Sequence, residues 1–192
     1  MSITVPRRFL RASGLSLGNS EKRLTATLQV ILASLFIACC AEIKIPLYFT
    51  PIPLSGVTFG VILIGALLGS RKGAMAVLCY LIERFIGMPL WVGNHVHLYH
   101  LIDASGGYRL AWVLQAFFVG WYLERSVFHY AKVVFVLFLV CCIQMGIGTL
   151  WLGCFIGFKH VMMMGFYPFI PGELLKVCLV ASYLKTRKKE SL

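Results

Sequence analysis

Apolar runs broken by short polar or Gly- and Pro-marked segments fill almost the whole chain, and they predict six helices, at 24–45, 54–68, 73–85, 107–123, 127–157 and 171–184. A bilayer crossing takes about 20 apolar residues, so the second and third runs are short. Short or broken helices around Gly and Pro point to a transport site, because backbone leaves the helix at membrane depth only where it lines a cavity. Two breaks are long, Pro- or Gly-marked and partly apolar, 46–53 and 87–106, and read as segments placed to lid a pocket.

Composition supports a membrane reading. Hydrophobic residues make up 59% of the chain and the mean hydropathy is +0.85, against roughly 45–50% apolar content in a soluble domain. With 192 residues the chain holds five or six spans in one domain and has no room for a separate soluble one. The net charge of +11 lies on alternate loops: Arg7, Arg8, Arg11, Lys22 and Arg23 before the first run, Arg71 and Lys72 in one turn, Arg125 and Lys132 in another, and Lys185, Arg187, Lys188 and Lys189 at the end. The intervening loops carry mainly Lys44 and Lys159. That asymmetry places both termini in the cytoplasm and calls for an even number of spans.

The expected fold is therefore an all-α, polytopic integral membrane protein with six transmembrane helices and cytoplasmic N- and C-termini, multi-pass in the cell membrane. Residues 1–23 form a basic cytoplasmic segment, 24–185 the six-helix membrane domain and 186–192 a basic cytoplasmic tail. No apolar segment ahead of a cleavage site marks a secretory signal, so the first helix is expected to direct insertion. Lipid is an expected partner and nucleic acid is not, since the basic residues are used by the loops. The seven cysteines lie in apolar runs without a CxxC pair and read as small packing residues.

Candidate chemistry centres on Pro171-Gly172-Glu173-Leu174-Leu175-Lys176, which puts an acid and a base on one helix face in an apolar stretch. Ionisable groups at membrane depth cost roughly 2.5–3.5 kcal/mol each on insertion scales and persist chiefly at sites. The alternative is structural: Pro171 at the first helical position would put Glu173 where a carboxylate caps free amides, although Lys176 is too deep for a cap. Arg109, just inside the fourth helix, either snorkels to the interface or joins Lys176 in holding a small anion. Trp91, Tyr108 and Phe169 would supply an aromatic wall or belong to an interfacial belt. Glu42 with Lys44, and Glu83 with Arg84, read as solvated or interfacial charges.

His95, His97, His100 and Asp103 match no metal-ligand spacing, so no metal is expected. No Walker A loop, HExxH motif or Ser-His-Asp order is present, which excludes ATP hydrolysis by P-loop chemistry and gives no sign of an enzyme or a cofactor. Ser34 and Ala38 form a small-xxx-small pair that permits close approach by a helix, from within the chain or outside it.

In order along the chain, Thr50-Pro51-Ile52-Pro53, the stretch 65–73, Gly87-Met88-Pro89-Leu90-Trp91, Ser105-Gly106-Gly107-Tyr108 and Pro168-Phe169-Ile170-Pro171-Gly172-Glu173-Leu174-Leu175-Lys176 resemble the BioY biotin transporters. These are substrate-capturing S components of energy-coupling-factor (ECF) transporters, and the ordered set spans about 25–185. The resemblance implies high-affinity biotin capture and uptake across the cytoplasmic membrane. A separate coupling transmembrane protein and nucleotide-binding ATPases would energise it, with Ser34 and Ala38 as the docking face for the coupling protein. Biotin offers two urea N–H donors, a urea carbonyl, apolar rings and a carboxylate, so Glu173, Asn94 and a cation at Lys176 or Arg109 are the expected polar partners. The chain departs from the family pattern with Glu173 for Asp, Val57 for Gln, Asp103-Ala104-Ser105 for Gly-Pro-Thr and Arg84 for Gly. Two rivals remain open at this stage: a carrier for another small anionic vitamin, and a lipid-modifying transferase using Glu173 as a base. A membrane assembly protein that binds no small molecule is a third.

Overall fold

The computed structural model describes residues 19–48, 50, 52–86 and 103–190, and these are mostly helical. Helix α1 spans Asn19–Ala41, α2 Val57–Ile86, α3 Gly106–Arg125, α4 Tyr130–Ile156, α5 Val161–Gly165 and α6 Ile170–Glu190. Two short strands, β1 at Lys44–Ile45 and β2 at Leu54–Ser55, pair antiparallel with Lys44 opposite Ser55. Among the described residues, four stretches are long and apolar enough to cross a membrane: Arg23–Ala41, Val57–Ile86, Tyr130–Ile156 and Val161–Lys189.

Helix α2 is two helical halves joined at a kink. Gly69 has φ +83°, a left-handed conformation that only Gly adopts cheaply. Two residues eight apart on a straight helix would be about 12 Å distant, yet a Cβ placed on Gly73 would lie 2.9 Å from the Gly65 Cα. The halves 57–68 and 70–86 therefore fold against each other, and glycine at 65 and 73 permits the approach. Glu124 secures the turn, its two carboxylate oxygens accepting from the Ser70 amide at 2.8 Å and the Ser70 hydroxyl at 2.9 Å.

The expected first helix ended at residue 45, but α1 stops at Ala41. The Glu42 and Ile43 amides turn back to the Cys39 and Cys40 carbonyls, each at 3.3 Å. The backbone of 44–45 then serves the β-hairpin, and the Gly56 amide closes it on the Ile43 carbonyl at 2.9 Å. The expected all-α fold is thus amended by this hairpin, which fills most of the 46–53 break.

Three apolar clusters organise the bundle. One joins α1, α2 and α3 through Ile37, Val61, Val77, Tyr80 and Ala116. A second joins α2, α3, α4 and α6 through Ile62, Val119, Leu137 and Val177. The third gathers Ile52, Tyr108, Met145, Leu152, Val161 and Phe169 at one end. Outer faces are apolar too: Leu24, Leu28 and Leu32 on α1 and Phe135, Leu139 and Ile143 on α4 are exposed, as lipid contact requires and water would penalise.

Ser34 and Ala38 do not form an outward docking face. Both are fully buried, and the Ser34 hydroxyl lies 2.6 Å from Glu83 Oε1. A serine is needed inward there because a buried carboxylate needs a donor. Glu83, expected at an interface, is itself buried, and Cys79 also donates to it at 3.3 Å. Small residues on α1 here serve packing within the chain, with Ile37 and Cys40 against Gly60.

Candidate functional site

The basic turns and the third apolar cluster occupy opposite ends of the bundle. At the basic end, Lys72 donates to Gln29, midway along α1, at 2.8 Å and Glu124 holds the Gly69 turn. At the other end meet the last residues of α1, the β-hairpin, both extremities of α2 and the first turns of α3 and α6. They enclose a cavity that opens at the end of the bundle, a concave, mostly apolar setting with a few convergent polar groups, as small-molecule sites have.

Glu173 lies in the first turn of α6, following the short helix α5 and a 3₁₀ turn at Tyr167–Phe169. Ile170 rather than Pro171 opens α6, and the carboxylate does not cap it. Glu173 Oε1 instead accepts from the Thr58 hydroxyl at 2.7 Å and from Lys176 Nζ at 2.7 Å. Lys176 also donates to the Ser55 carbonyl at 2.7 Å and to Thr58 Oγ1 at 2.6 Å. An ammonium has three donors, and the protein takes all three. Glu173 Oε2 is buried and meets no protein donor.

Arg109, expected either to snorkel or to bind an anion, is fixed within the protein. Its two terminal nitrogens reach Asp103 Oδ1 at 3.2 Å and Oδ2 at 3.1 Å, a fork-to-carboxylate geometry that suits guanidinium. Asp103 Oδ1 also accepts from the Ser105 amide at 2.8 Å and hydroxyl at 2.7 Å, so one carboxylate both shapes the entry to α3 and neutralises Arg109.

Tyr108 stands beside Phe169, with ring centroids 6.5 Å apart. The Tyr108 hydroxyl donates to the Gly165 carbonyl at 2.7 Å and lies 3.0 Å from Thr149 Oγ1. Its ring contacts Gly148, where any Cβ would overlap it.

The structure thus brings Glu173, Lys176, Arg109, Tyr108 and Phe169 to one cavity. Trp91 and Asn94, the segment 87–102 and its three histidines lie outside the described residues.

Several lining residues were not singled out in the sequence as site residues. Gln144 donates through Nε2 to the Tyr108 carbonyl at 3.4 Å, while its buried Oε1 has no partner. Its signal was available: an amide in the middle of a 27-residue apolar helix. Trp112 keeps a buried Nε1–H without an acceptor. Ser55, Thr58, Tyr80, Arg84 and Ser105 complete the polar lining, and Lys44 stands exposed at the rim. The unpaired polar atoms are acceptors on Glu173 and Gln144 and a donor on Trp112. A ligand presenting two donors and one acceptor on an apolar body complements them.

A family model described as the BioY family matches residues 15–191. The chain is 31% identical over 149 residues to a probable biotin transporter BioY of Pyrococcus horikoshii, covering 77% of this chain and 88% of that one. It is 25% identical over 178 residues to the biotin transporter BioY of Lactococcus lactis, covering 90% and 94%. Among solved structures it resembles the S component for biotin from an ECF-type ABC transporter, with a TM-score of 0.78 and 23% identity over 91% of this chain and 95% of that one. At that identity the likeness speaks to the fold.

Proposed function

Because the chain belongs to the BioY family, we propose that it captures biotin in this cavity as the membrane S component of an ECF transporter and carries it across the cytoplasmic membrane. The observation that supports this most directly is the set of unmet polar atoms. Glu173 Oε2 and Gln144 Oε1 are two buried acceptors, and Trp112 Nε1 is a buried donor, all on residues of one cavity. The cyclic urea of biotin carries two N–H donors flanking a carbonyl. Leaving a buried polar group unmet costs roughly 1–3 kcal/mol, so a urea that meets all three recovers what the empty site lacks. Tyr108, Phe169 and Trp112 supply the apolar surface for the fused rings. Lys176 holds the Glu173 carboxylate in place rather than reaching the ligand, since its donors are already engaged.

As a member of the BioY family it is a substrate-binding membrane protein and not an enzyme. The chain has no nucleotide-binding loop, so energy comes from partners, a coupling membrane protein and nucleotide-binding ATPases. The halves of α2 count as two spans, which with α1, α3, α4 and α6 makes six and puts both termini in the cytoplasm. The half at 57–68 is about 18 Å long at 1.5 Å per residue, so its pocket end lies below the outer membrane surface.

Titration of the purified protein in detergent with biotin, against thiamine, riboflavin and pantothenate, tests the reading. Saturable binding of one biotin per chain is expected, with the others binding at least a hundredfold more weakly. Preference for another vitamin, or no binding of any, overturns it.

A further inference from the structure

Among the described residues, one cation lining the cavity has no carboxylate paired with it. Lys176 is taken up by Glu173 and the Arg109 fork by Asp103. Arg84, in the last turn of α2, also lines the cavity and is only half-buried. It forms no ion pair among the described residues; beside it are the Tyr80 hydroxyl and, at electrostatic range, the like-charged Arg109, while the exposed Glu42 reaches that hydroxyl only through its field and makes no ion pair with Arg84. Two guanidinium groups facing one cavity with a single carboxylate between them leave an excess of positive charge in a partly desolvated place. That excess is relieved by an anion.

Resting on the reading of this cavity as a biotin site, we infer that Arg84 is the residue that receives the biotin carboxylate. The placement fits the two ends of the ligand. The unmet acceptors that suit the urea belong to Glu173 on α6 and Gln144 on α4, whereas Arg84 comes from a different element, the C-terminal end of α2, beside Tyr80. A guanidinium offers the paired donors that match a carboxylate. The competing cation is Lys44, but it is exposed on the β-hairpin, where water and salt screen its charge. A cation in a helix's last turn also complements the helix dipole. That service does not depend on the charge of a ligand, and this separates the two roles.

The test compares biotin with biotin methyl ester, which lacks the anion, on the native protein and on Arg84→Ala, Arg84→Lys and Lys44→Ala, with thermal unfolding midpoints recorded for each. Arg84→Ala is expected to weaken biotin about 10- to 100-fold, the scale of one charge-assisted contact in a half-buried site, while changing ester binding less than threefold. Arg84→Lys should restore part of the loss, and Lys44→Ala should cost less than Arg84→Ala. Native affinity for biotin in Arg84→Ala would overturn the assignment, as would equal loss of biotin and ester, or a larger loss in Lys44→Ala. Each of these leaves biotin binding by the native protein intact. Absence of biotin binding by the native protein would instead bring down the function itself, and this assignment with it.

Discussion

Replacing Glu173 by Gln alters one charge and one acceptor with almost no change of shape, and its consequences divide between stability and binding. Glu173 and Lys176 are 4% and 13% exposed, so their ion pair is sheltered from water. Removing one partner of a buried pair typically costs 3–5 kcal/mol, because the other charge is left uncompensated. The Gln amide oxygen still accepts from Lys176 and Thr58, which puts the expected loss near the lower end, about 3 kcal/mol. Binding suffers separately. If Oε2 accepts a urea N–H, the amide NH₂ now faces a donor, and a hydrogen bond to a charged group worth roughly 1.5–3 kcal/mol is lost. At 1.4 kcal/mol per decade that is about a 10- to 150-fold weaker biotin complex.

The two effects are separated by a second substitution. Lys176→Met added to Glu173→Gln removes the stranded ammonium and should recover much of the thermal midpoint, since uncharged replacements of a buried pair are often neutral or stabilising. It should not recover biotin affinity, because the acceptor is still missing. Thermal unfolding and calorimetric titration in the same detergent read both quantities. Native biotin affinity in Glu173→Gln would refute the role of Oε2, as would a double variant that regains affinity along with stability.

Gly148→Ala places a methyl group on the Tyr108 ring and is expected to lower stability by roughly 1–3 kcal/mol and to weaken biotin binding measurably; unchanged titrations would show that the Tyr108 wall does not touch the ligand. Gly69→Ala strains a φ of +83° and meets Glu124 Oε1, so it should cost roughly 1–2 kcal/mol of stability while leaving the biotin dissociation constant within about threefold, since the turn lies at the end away from the cavity. In a cysteine-free background, single cysteines at Ser20 and Thr186 should label from the cytoplasmic side and one at the fully exposed Tyr48 from outside; labelling of Ser20 and Thr186 from opposite faces would overturn six spans.

The acid-base pair was legible in the sequence for one reason: charge is so costly in an apolar segment that each occurrence is conspicuous. Glu173 and Lys176 stood out on that ground, and the structure joins them at 2.7 Å. Gly69 lay in a turn already marked by Arg71 and Lys72. What escaped was information carried by partners distant in sequence. Thr58 meets Glu173 across 115 residues, and no local pattern distinguishes it from other threonines near a helix start. Ser34 read as a candidate docking residue because small side chains look alike whether they face a partner or the interior; the buried Glu83 opposite decides between them. Arg109 read as either a snorkelling or an anion-binding residue, because its fork was visible and its pairing with Asp103, six residues back across a turn, was not.

The pairing of charges also bears on how a loaded site can exist at membrane depth. Glu173 cancels Lys176 and Asp103 cancels Arg109, so the described lining carries, apart from the rim lysine, a single excess positive charge at Arg84. With the biotin carboxylate on Arg84 that excess disappears, and the urea meets the acceptors on Glu173 and Gln144. The occupied cavity is then neutral and its polar atoms are satisfied, whereas the empty one is neither. Because uncompensated charge is the largest cost of holding ionised groups away from water, the ligand's anion contributes to affinity and also makes the filled state the better suited of the two to low-dielectric surroundings. A neutral biotin ester would satisfy the urea end and leave the excess charge in place. It should therefore be captured weakly by the native protein and carried inward more slowly still, and uptake of the ester at the rate of biotin at equal occupancy would contradict this coupling of charge balance to transport.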